Sequence, residues 1–594
     1  MVLTVKIGIF AIFLMGYLQP AECQTVFTEV SDSAGIHFDY VGFHYGGGIA
    51  VGDFNADGFE DLYVTNGKGK PNALFLNNGN GTFSDVAIAA GVADTLEGMG
   101  AVCADIDNDG DLDIFVSNHN AANRLYLNDG NAAFTDVAAT AGLAIPGPST
   151  SVALADIDND GWLDIYVLNH SQDHVEHSNT LYHNNRNGTF SDITEASGAG
   201  SNSTSLAVGF FDVNNDLFPD IYVVNEYQRD ELIVNNGDGT FTNLRDEVVI
   251  PSGAGMGVDF ADYDNDGDLD VYVTNLYRDF LLRNDDGNTL TDVTSASGIE
   301  NLTMGWGVSF LDYDNDGDRD LHVVNGAMLW PNQYSEKNVF FRNNGNGFFN
   351  EVSAQLGLDT EGDSRASVCA DFDNDGAIDI AVLNVDRGEF QLFNNQTHTN
   401  NWINIRLVGS RSNYCGIGAK VFVKTGGDQQ MHEIRAGSSY ASNHSLLAAF
   451  GLKKAAVIDE INVQWPSGEI QNLTDVAINQ ILTITEPGTR PVNGNIATQF
   501  ELLQNFPNPF NPTTEIPFRL ITEGQPTLQI FDVNGKLVWQ KTTPHLPAGN
   551  HSIEWDGRDN NGKNASSGVY FYTLQFQSAA GANSPQIYKM ILIR

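Results

Sequence analysis

The stretch Asp371-Phe-Asp373-Asn-Asp375-Gly376-Ala-Ile-Asp379 places carboxylates at positions 1, 3, 5 and 9 of a nine-residue loop, with glycine at position 6. Oxygens at alternate positions of a short loop can wrap a hard cation, and Ca²⁺ takes six to eight of them. Glycine permits the sharp turn, and position 7 would add a backbone carbonyl. A bare Asp/Asn/Gly surface turn is the competing reading. Charge argues against it, because carboxylates about 4 Å apart near a protein surface repel by roughly 4 kcal/mol per pair.

The pattern occurs seven times, with starts between 50 and 59 residues apart. The expected ligand sets are Asp53, Asn55, Asp57 and Asp61 in the first loop, and Asp105, Asp107, Asp109 and Asp113 in the second. The third holds Asp156, Asp158, Asp160 and Asp164; the fifth, Asp262, Asp264, Asp266 and Asp270. The sixth holds Asp312, Asp314, Asp316 and Asp320; the seventh, Asp371, Asp373, Asp375 and Asp379. The fourth set, Asp212, Asn214, Asp216 and Asp220, has Leu217 in place of the glycine. A leucine at positive φ is strained, so that loop is expected to be remodelled and its site weak or vacant. None of the loops is an EF-hand: no Glu stands at position 12, and the flanking patterns are those of strands.

Each loop lies in a unit of about 50 residues that reads as four short strands broken by Gly/Asn/Asp turns. In the second unit a run at 100–104 leads into the loop, and 113–118, 124–128 and 133–137 follow. That period is the signature of a propeller blade, which predicts seven blades. The outer-strand pattern Phe-x-Asp/Glu-Val occurs once before any loop, at Phe27-Thr-Glu-Val30, and is missing after the seventh. The first strand of the chain should therefore complete the last blade and leave no unpaired edge at the seam.

These residues resemble the FG-GAP/VCBS repeats of integrin-α-like propellers over residues 26–398. The resemblance implies that the Asp and Asn positions ligate structural Ca²⁺ ions that stiffen the blades and do no chemistry. Downstream, Trp402-Ile-Asn-Ile-Arg-Leu407, Gly416-Ile-Gly418, Gly437-Ser-Ser-Tyr440, Phe450-Gly-Leu452 and Trp465-Pro-Ser-Gly468 resemble the ASPIC/UnbV domain of cartilage-acidic-protein-like proteins over 400–487. That family brings no established catalytic residues. A polar Pro/Gly linker occupies 488–500. Residues 501–594 carry Gln504-Asn-Phe-Pro-Asn-Pro-Phe-Asn-Pro, an Asn534-Gly535 hairpin signal and strand patterns of a small Ig-like β-sandwich. They resemble the type A sorting domain of type IX secretion. This implies export across the outer membrane of a Gram-negative bacterium by that machinery, with the domain then removed; an ordinary Ig-like stalk is the alternative. The expected fold is all-β: a seven-bladed propeller, a small β-domain and a C-terminal sandwich.

Composition narrows the partners. Of 594 residues, 29 are Lys or Arg and 76 are Asp or Glu, a formal charge of −47, which excludes nucleic acid as an expected partner. Lys6 and the apolar run 7–18 read as a secretory signal ending at 23, too short to span a bilayer, and no other segment reads as a transmembrane anchor. Cys103, Cys369 and Cys415 read as buried small hydrophobes. His170, His174 and His177 share one loop and could bind a transition metal, but read as exposed loop residues. No catalytic motif occurs, so the expected role is a secreted or surface binding module for an extracellular protein or glycan. A polysaccharide-active enzyme and an inert surface-layer component are the alternatives. Blade topology puts the long connections opposite the Asp loops. Trp330, Tyr334, Tyr227 and Tyr277 stand there as partner-face aromatics.

Overall fold

The computed structural model describes residues 26–592 apart from 171–176, 246–252, 286, 288, 328–335, 386–388, 489–499 and short stretches within 503–586. The proposed signal sequence, Trp330, Tyr334 and His174 lie outside the described residues. Contacts divide the chain into two compact units, Met1–Gly488 and Thr489–Arg594.

Among the described residues the first unit contains seven four-stranded antiparallel blades, two of them joined in one sheet where Pro146–Pro148 pairs with His119–Ala122. Blade one runs Ile49–Gly52, Asp61–Val64, Ala73–Asn77 and Phe83–Asp85. The innermost strands of the others are Gly98–Ala104, Pro146–Ala155, Ser205–Phe211, Gly255–Ala261, Gly305–Leu311 and Ser364–Ala370. Each touches the next, and the last touches the first, so the blades close a ring. Blades stack face to face, which buries both sides of the inner strands. Their sequences are accordingly continuous apolar or small runs instead of alternating ones. The seam is Phe27–Glu29, which pairs antiparallel with Phe393–Asn395 as the outer strand of blade seven. Phe27 is buried against Tyr313 and Phe340 of blade six.

Five blades end in a four-residue helix that the strand patterns do not announce: Ser31–Ala34, Ala87–Ala90, Ala138–Ala141, Thr194–Ser197 and Ser353–Leu356. Each stops at a glycine in the left-handed region, the usual helix-ending conformation.

Residues 400–487 belong to the same compact unit as the ring. Trp402–Val408 lies between Ala448–Gly451 and the parallel Ile481–Thr485. A second sheet orders Asp428–Glu433, Lys420–Thr425, Ile458–Gln464 and Ile470–Val476. Ile403, Ile405, Val421, Ile461 and Trp465 share one core with Val102, Phe115, Leu154 and Ile165 of blades two and three.

The second unit pairs Phe500–Leu502, Thr514–Leu520 and Gly549–Trp555 in one sheet, and Leu537–Thr542, Pro526–Asp532, Gly568–Ser578 and Ile587–Leu592 in another. Its core is built from Ile516, Phe518, Leu528, Ile530, Trp555, Tyr572 and Met590.

Candidate metal centres

All seven Asp loops share one geometry, set by their own carboxylates. The first Asp accepts the backbone N–H groups of positions 5 and 6, as in Asp57 and Gly58 on Asp53, and Asp375 and Gly376 on Asp371. The ninth accepts the N–H of position 2 on one oxygen, as in Phe54 on Asp61 at 2.9 Å. Position 4 takes φ of 55–63° in every loop, and position 6 is positive throughout. Leu217 conforms, with φ 70°. The fourth loop is therefore not remodelled, which corrects the expectation from sequence. Asp216 and Leu217 still donate to Asp212, and Val213 to Asp220. These carboxylate bonds hold the backbone in place, and the leucine bears the strain.

A second set of residues ties each loop to its neighbours, and the sequence reading passed over it. The asparagine ending each third strand donates its backbone N–H to the other oxygen of the ninth Asp, as in Asn77 on Asp61 at 2.7 Å. Its side-chain amide crosses to the position-2 carbonyl of the preceding loop. Asn128 reaches Phe54, Asn184 Ile106, Asn235 Ile157, Asn284 Val213, Asn343 Tyr263, Asn395 Tyr313 and Asn77 Phe372. The last of these closes the circle across the seam. Position-4 asparagines add a second belt to the position-6 carbonyl of the following loop, as in Asn108 to Gly161, Asn315 to Gly376 and Asn374 to Gly58.

The loops fit a hard divalent cation. In loops two, three, five and six, three acidic oxygens lie within 4.8 Å of one another. Asp264 Oδ1 and Asp314 Oδ1, both at position 3, are buried acceptors without a hydrogen-bond donor, a costly state for a carboxylate. Burial pushes Asp61 and Asp220 up to about 8 and Asp262, Asp312 and Asp371 up to about 7, with neighbouring loop carboxylates adding to the effect. Asp113, Asp270, Asp320 and Asp379 are also raised well above the ordinary range, burial again being the main cause. The sets are built of oxygens, with the His183 imidazole beside Asp158 and Asp160 of the third loop, and suit Ca²⁺ better than a thiophilic metal.

Residues 400–487 sit on this metal-loop face. Arg406 Nη1 lies 3.5 Å from Asp53 Oδ2, Asn404 Nδ2 donates to Asp371 Oδ2 at 2.9 Å, and Lys420 Nζ lies 2.9 Å from Asp212 Oδ2. From there residues 436–445 enter the channel of the ring and hydrogen-bond six blades. Val51 donates to Asn443, Ala101 to Ala441, Leu154 to Ala436 and Val258 to Ser439. Val308 donates to the Ser439 hydroxyl, which donates to the Ser367 carbonyl. Gly437 is required in this plug: it has φ 100°, and a Cβ there would lie 2.7 Å from the backbone of Val152 and Ala153. Tyr440 reaches the far mouth. Its ring packs edge-on to Trp306 at 5.0 Å, and its hydroxyl donates to the Tyr45 carbonyl.

Where the plug enters, Cys369 Sγ lies 3.8 Å from His444 Nδ1, and His444 Nε2 lies 3.5 Å from Asp259 Oδ2. Against burial, Cys369 and Asp259 hold this imidazole up to about 10. Cys369 is thus only half-buried and faces a polar group, unlike the small hydrophobe expected, whereas Cys103 and Cys415 are buried. The adjoining cavity is about 70 Å³. That is room for a few water molecules, far below the ~300 Å³ at which ligand pockets begin.

At the far mouth His170 departs from the exposed loop residue expected. It is buried and lies 2.7 Å from Glu226 Oε2, while Tyr45 donates to Glu226 Oε1 at 2.9 Å. Burial opposes ionisation of Glu226, yet the bonds from His170, Tyr227 and Tyr45 outweigh it and hold the carboxyl below its ordinary range. Around this mouth Tyr227 and Tyr277 are 70% and 76% exposed, and Leu302 is 69% exposed.

Comparison with known proteins agrees with this layout. The FG-GAP-like repeat model matches residues 53–116, 105–167, 171–223, 212–273 and 327–382. The ASPIC and UnbV model matches 409–491, and the FlgD Ig-like domain model 520–580. Cartilage acidic protein 1 of Homo sapiens is 39% identical over 145 residues, 24% of this chain and 21% of that protein. The Xenopus tropicalis protein is 40% identical over 128 residues, 21% of this chain. The match spans about a fifth of the length of these relatives. An Agrocybe aegerita lectin structure, described as recognising non-reducing terminal N-acetylglucosamine, aligns at TM-score 0.35 and 17% identity over 54% of this chain and 81% of its own. PorZ of Porphyromonas gingivalis aligns at TM-score 0.26 and 12% identity over 92% of this chain and 81% of its own. The chain is thus a protein of FG-GAP-like repeats with an ASPIC and UnbV segment and a FlgD Ig-like domain.

Proposed function

We propose that this protein is a secreted or cell-surface binding module, stiffened by Ca²⁺ in its Asp loops, that holds an extracellular protein or glycan on the face opposite those loops. One observation carries the reading. The ASPIC and UnbV segment occupies the metal-loop face and plugs the channel, while on the opposite face, among the described residues, Tyr227 and Tyr277 are exposed at matching positions of blades four and five. Exposed aromatics on a rigid scaffold are the usual anchors of recognition. Binding without catalysis suits a site whose one described thiol–imidazole pair, Cys369 with His444, faces a cavity of about 70 Å³. The test is an array of extracellular glycans and proteins probed with wild type and with Tyr227→Ala/Tyr277→Ala. A ligand lost by the variant, at unchanged melting temperature, supports the reading. A ligand retained by the variant but lost on Asn80→Ala or Asn187→Ala, in the hairpins beside the metal loops, contradicts it.

Export belongs to the same proposal. The Gln504-Asn-Phe-Pro-Asn-Pro motif and the Ig-like second unit support a sorting role in type IX secretion. Mass spectrometry of surface extract and culture supernatant should then find a form lacking roughly the last 90 residues, about one small domain. A surface form that keeps Arg594 would make this unit a stalk.

A further inference from the structure

The fourth loop differs from the others in what stands beside its first aspartate. Lys420 opens the strand Lys420–Thr425 and is buried, its side chain 2% exposed. Its ammonium lies 2.9 Å from Asp212 Oδ2 and 3.9 Å from Glu433 Oε2. It also donates to Asn215 Oδ1 and, at 3.5 Å, to the Asp212 carbonyl. Glu433 in turn accepts the Asp212 N–H at 3.4 Å. A buried ammonium thus sits among four oxygens, two of them on Asp212, the residue that should lead a cation site.

The equivalent positions elsewhere are different. Asp371 meets a neutral amide, Asn404. Asp53 meets Arg406 at 3.5 Å, but that guanidinium is 35% exposed and screened by solvent. The asparagine at position 3 does not set the fourth loop apart: Asn214 donates to Asp216 Oδ2 at 3.0 Å, as Asn55 donates to Asp57 Oδ2 at 3.0 Å in the first loop. Arginines also meet ligand carboxylates in the third and sixth loops, Arg186 on Asp160 and Arg342 on Asp314 and Asp316, but their side chains are half-exposed, whereas the buried Lys420 ammonium is a fixed, unscreened charge on the leading Asp. The ammonium cannot withdraw without leaving Asp212 and Glu433 as buried, unpaired acids, which is strongly destabilising.

We propose that Lys420 is the resident counter-cation of the fourth loop, so that this loop takes no Ca²⁺ at concentrations that fill the other six. The inference rests on the reading that the loops bind Ca²⁺. It assigns the vacancy to a lysine reaching in from another segment, in place of the missing glycine. It also makes the junction of Lys420 with blade four independent of metal.

The test is an ion count on the full-length chain, by native mass spectrometry and elemental analysis after equilibration with Ca²⁺. Wild type should hold six ions, Lys420→Met seven, and Leu217→Gly with Lys420 retained still six. Seven ions in wild type, seven in Leu217→Gly, or six in a folded Lys420→Met would each overturn the proposal. Should Lys420→Met fail to fold, the Leu217→Gly count decides alone: six keeps the lysine as the cause, seven makes the glycine the cause. No bound Ca²⁺ in any of the proteins would instead refute the underlying metal reading.

Discussion

Chelation of the purified protein should lower its melting temperature by about 8 °C beyond an ionic-strength control. Extracellular sites bind Ca²⁺ with dissociation constants of about 10⁻⁴ to 10⁻³ M. At ten times that concentration each filled loop stabilises the fold by about 1.4 kcal/mol through mass action, because the unfolded chain presents no site. Six loops give about 8 kcal/mol. Unfolding entropy is about 2 cal/mol/K per residue, which over the large unit converts that to about 8 °C. The pH dependence should reverse with the metal. Asp61 is held at about 8, and Asp262, Asp312 and Asp371 at about 7, against about 3.9 in an unfolded chain. Above about pH 4 the unfolded chain gives up protons that the ion-free fold keeps, so the ion-free fold loses stability as pH rises from about 4 to about 8. In Ca²⁺ the bound carboxylates carry no protons, and the stabilisation by metal grows over the same range. Melting curves at four pH values, with Ca²⁺ and with EDTA, check both signs. Parallel pH slopes in the two series would contradict the assignment of these acids to the metal.

The plug should matter as much as the metal. A chain ending at residue 398 should fail to form a cooperative ring, and Tyr440→Ala in the full chain should cost roughly 3 kcal/mol, at the low end for removing a buried aromatic ring. The backbone N–H groups of Val51, Ala101, Leu154 and Val258 have their partners in residues 436–443. Without the plug they would face water in a channel lined by apolar strands. The shared core of Trp465 and Ile405 with Leu154 and Phe115 would be opened at the same time. Urea unfolding of both forms measures this. A truncated ring that unfolds in one transition near the wild-type midpoint would show that the segment is an accessory.

What could be read from the sequence followed the period of about 50 residues. The Asp loops were legible because ligand chemistry forces oxygens to fixed offsets, and the seam because Phe27-Thr-Glu-Val30 appears one blade too early. The asparagines at 77, 128, 184, 235, 284, 343 and 395 share that period, but their roles were not legible, since each side chain serves a neighbouring blade. Asn77 reaches Phe372 across the seam, 295 residues away in sequence. The plug has no period at all. Gly437-Ser-Ser-Tyr440 shows as a motif, yet its partners Val258, Val308 and Trp306 lie more than 130 residues away. His170 was misread for the same reason: its burial depends on Glu226, one blade on. Leu217 was misread in the opposite direction, because intrinsic strain was weighed without the bonds that Asp212 and Asp220 supply.

The most direct measurement of the central claim is binding of an array-identified ligand to immobilised wild type and to Tyr227→Ala/Tyr277→Ala, each in Ca²⁺ and in EDTA. The account predicts that the double variant loses the ligand by tenfold or more, about 1.4 kcal/mol, while keeping its Ca²⁺-dependent melting, and that EDTA weakens the wild type. Unchanged affinity in the double variant, with binding abolished by Asn80→Ala or Asn187→Ala beside the metal loops, would place the ligand on the wrong face for this account.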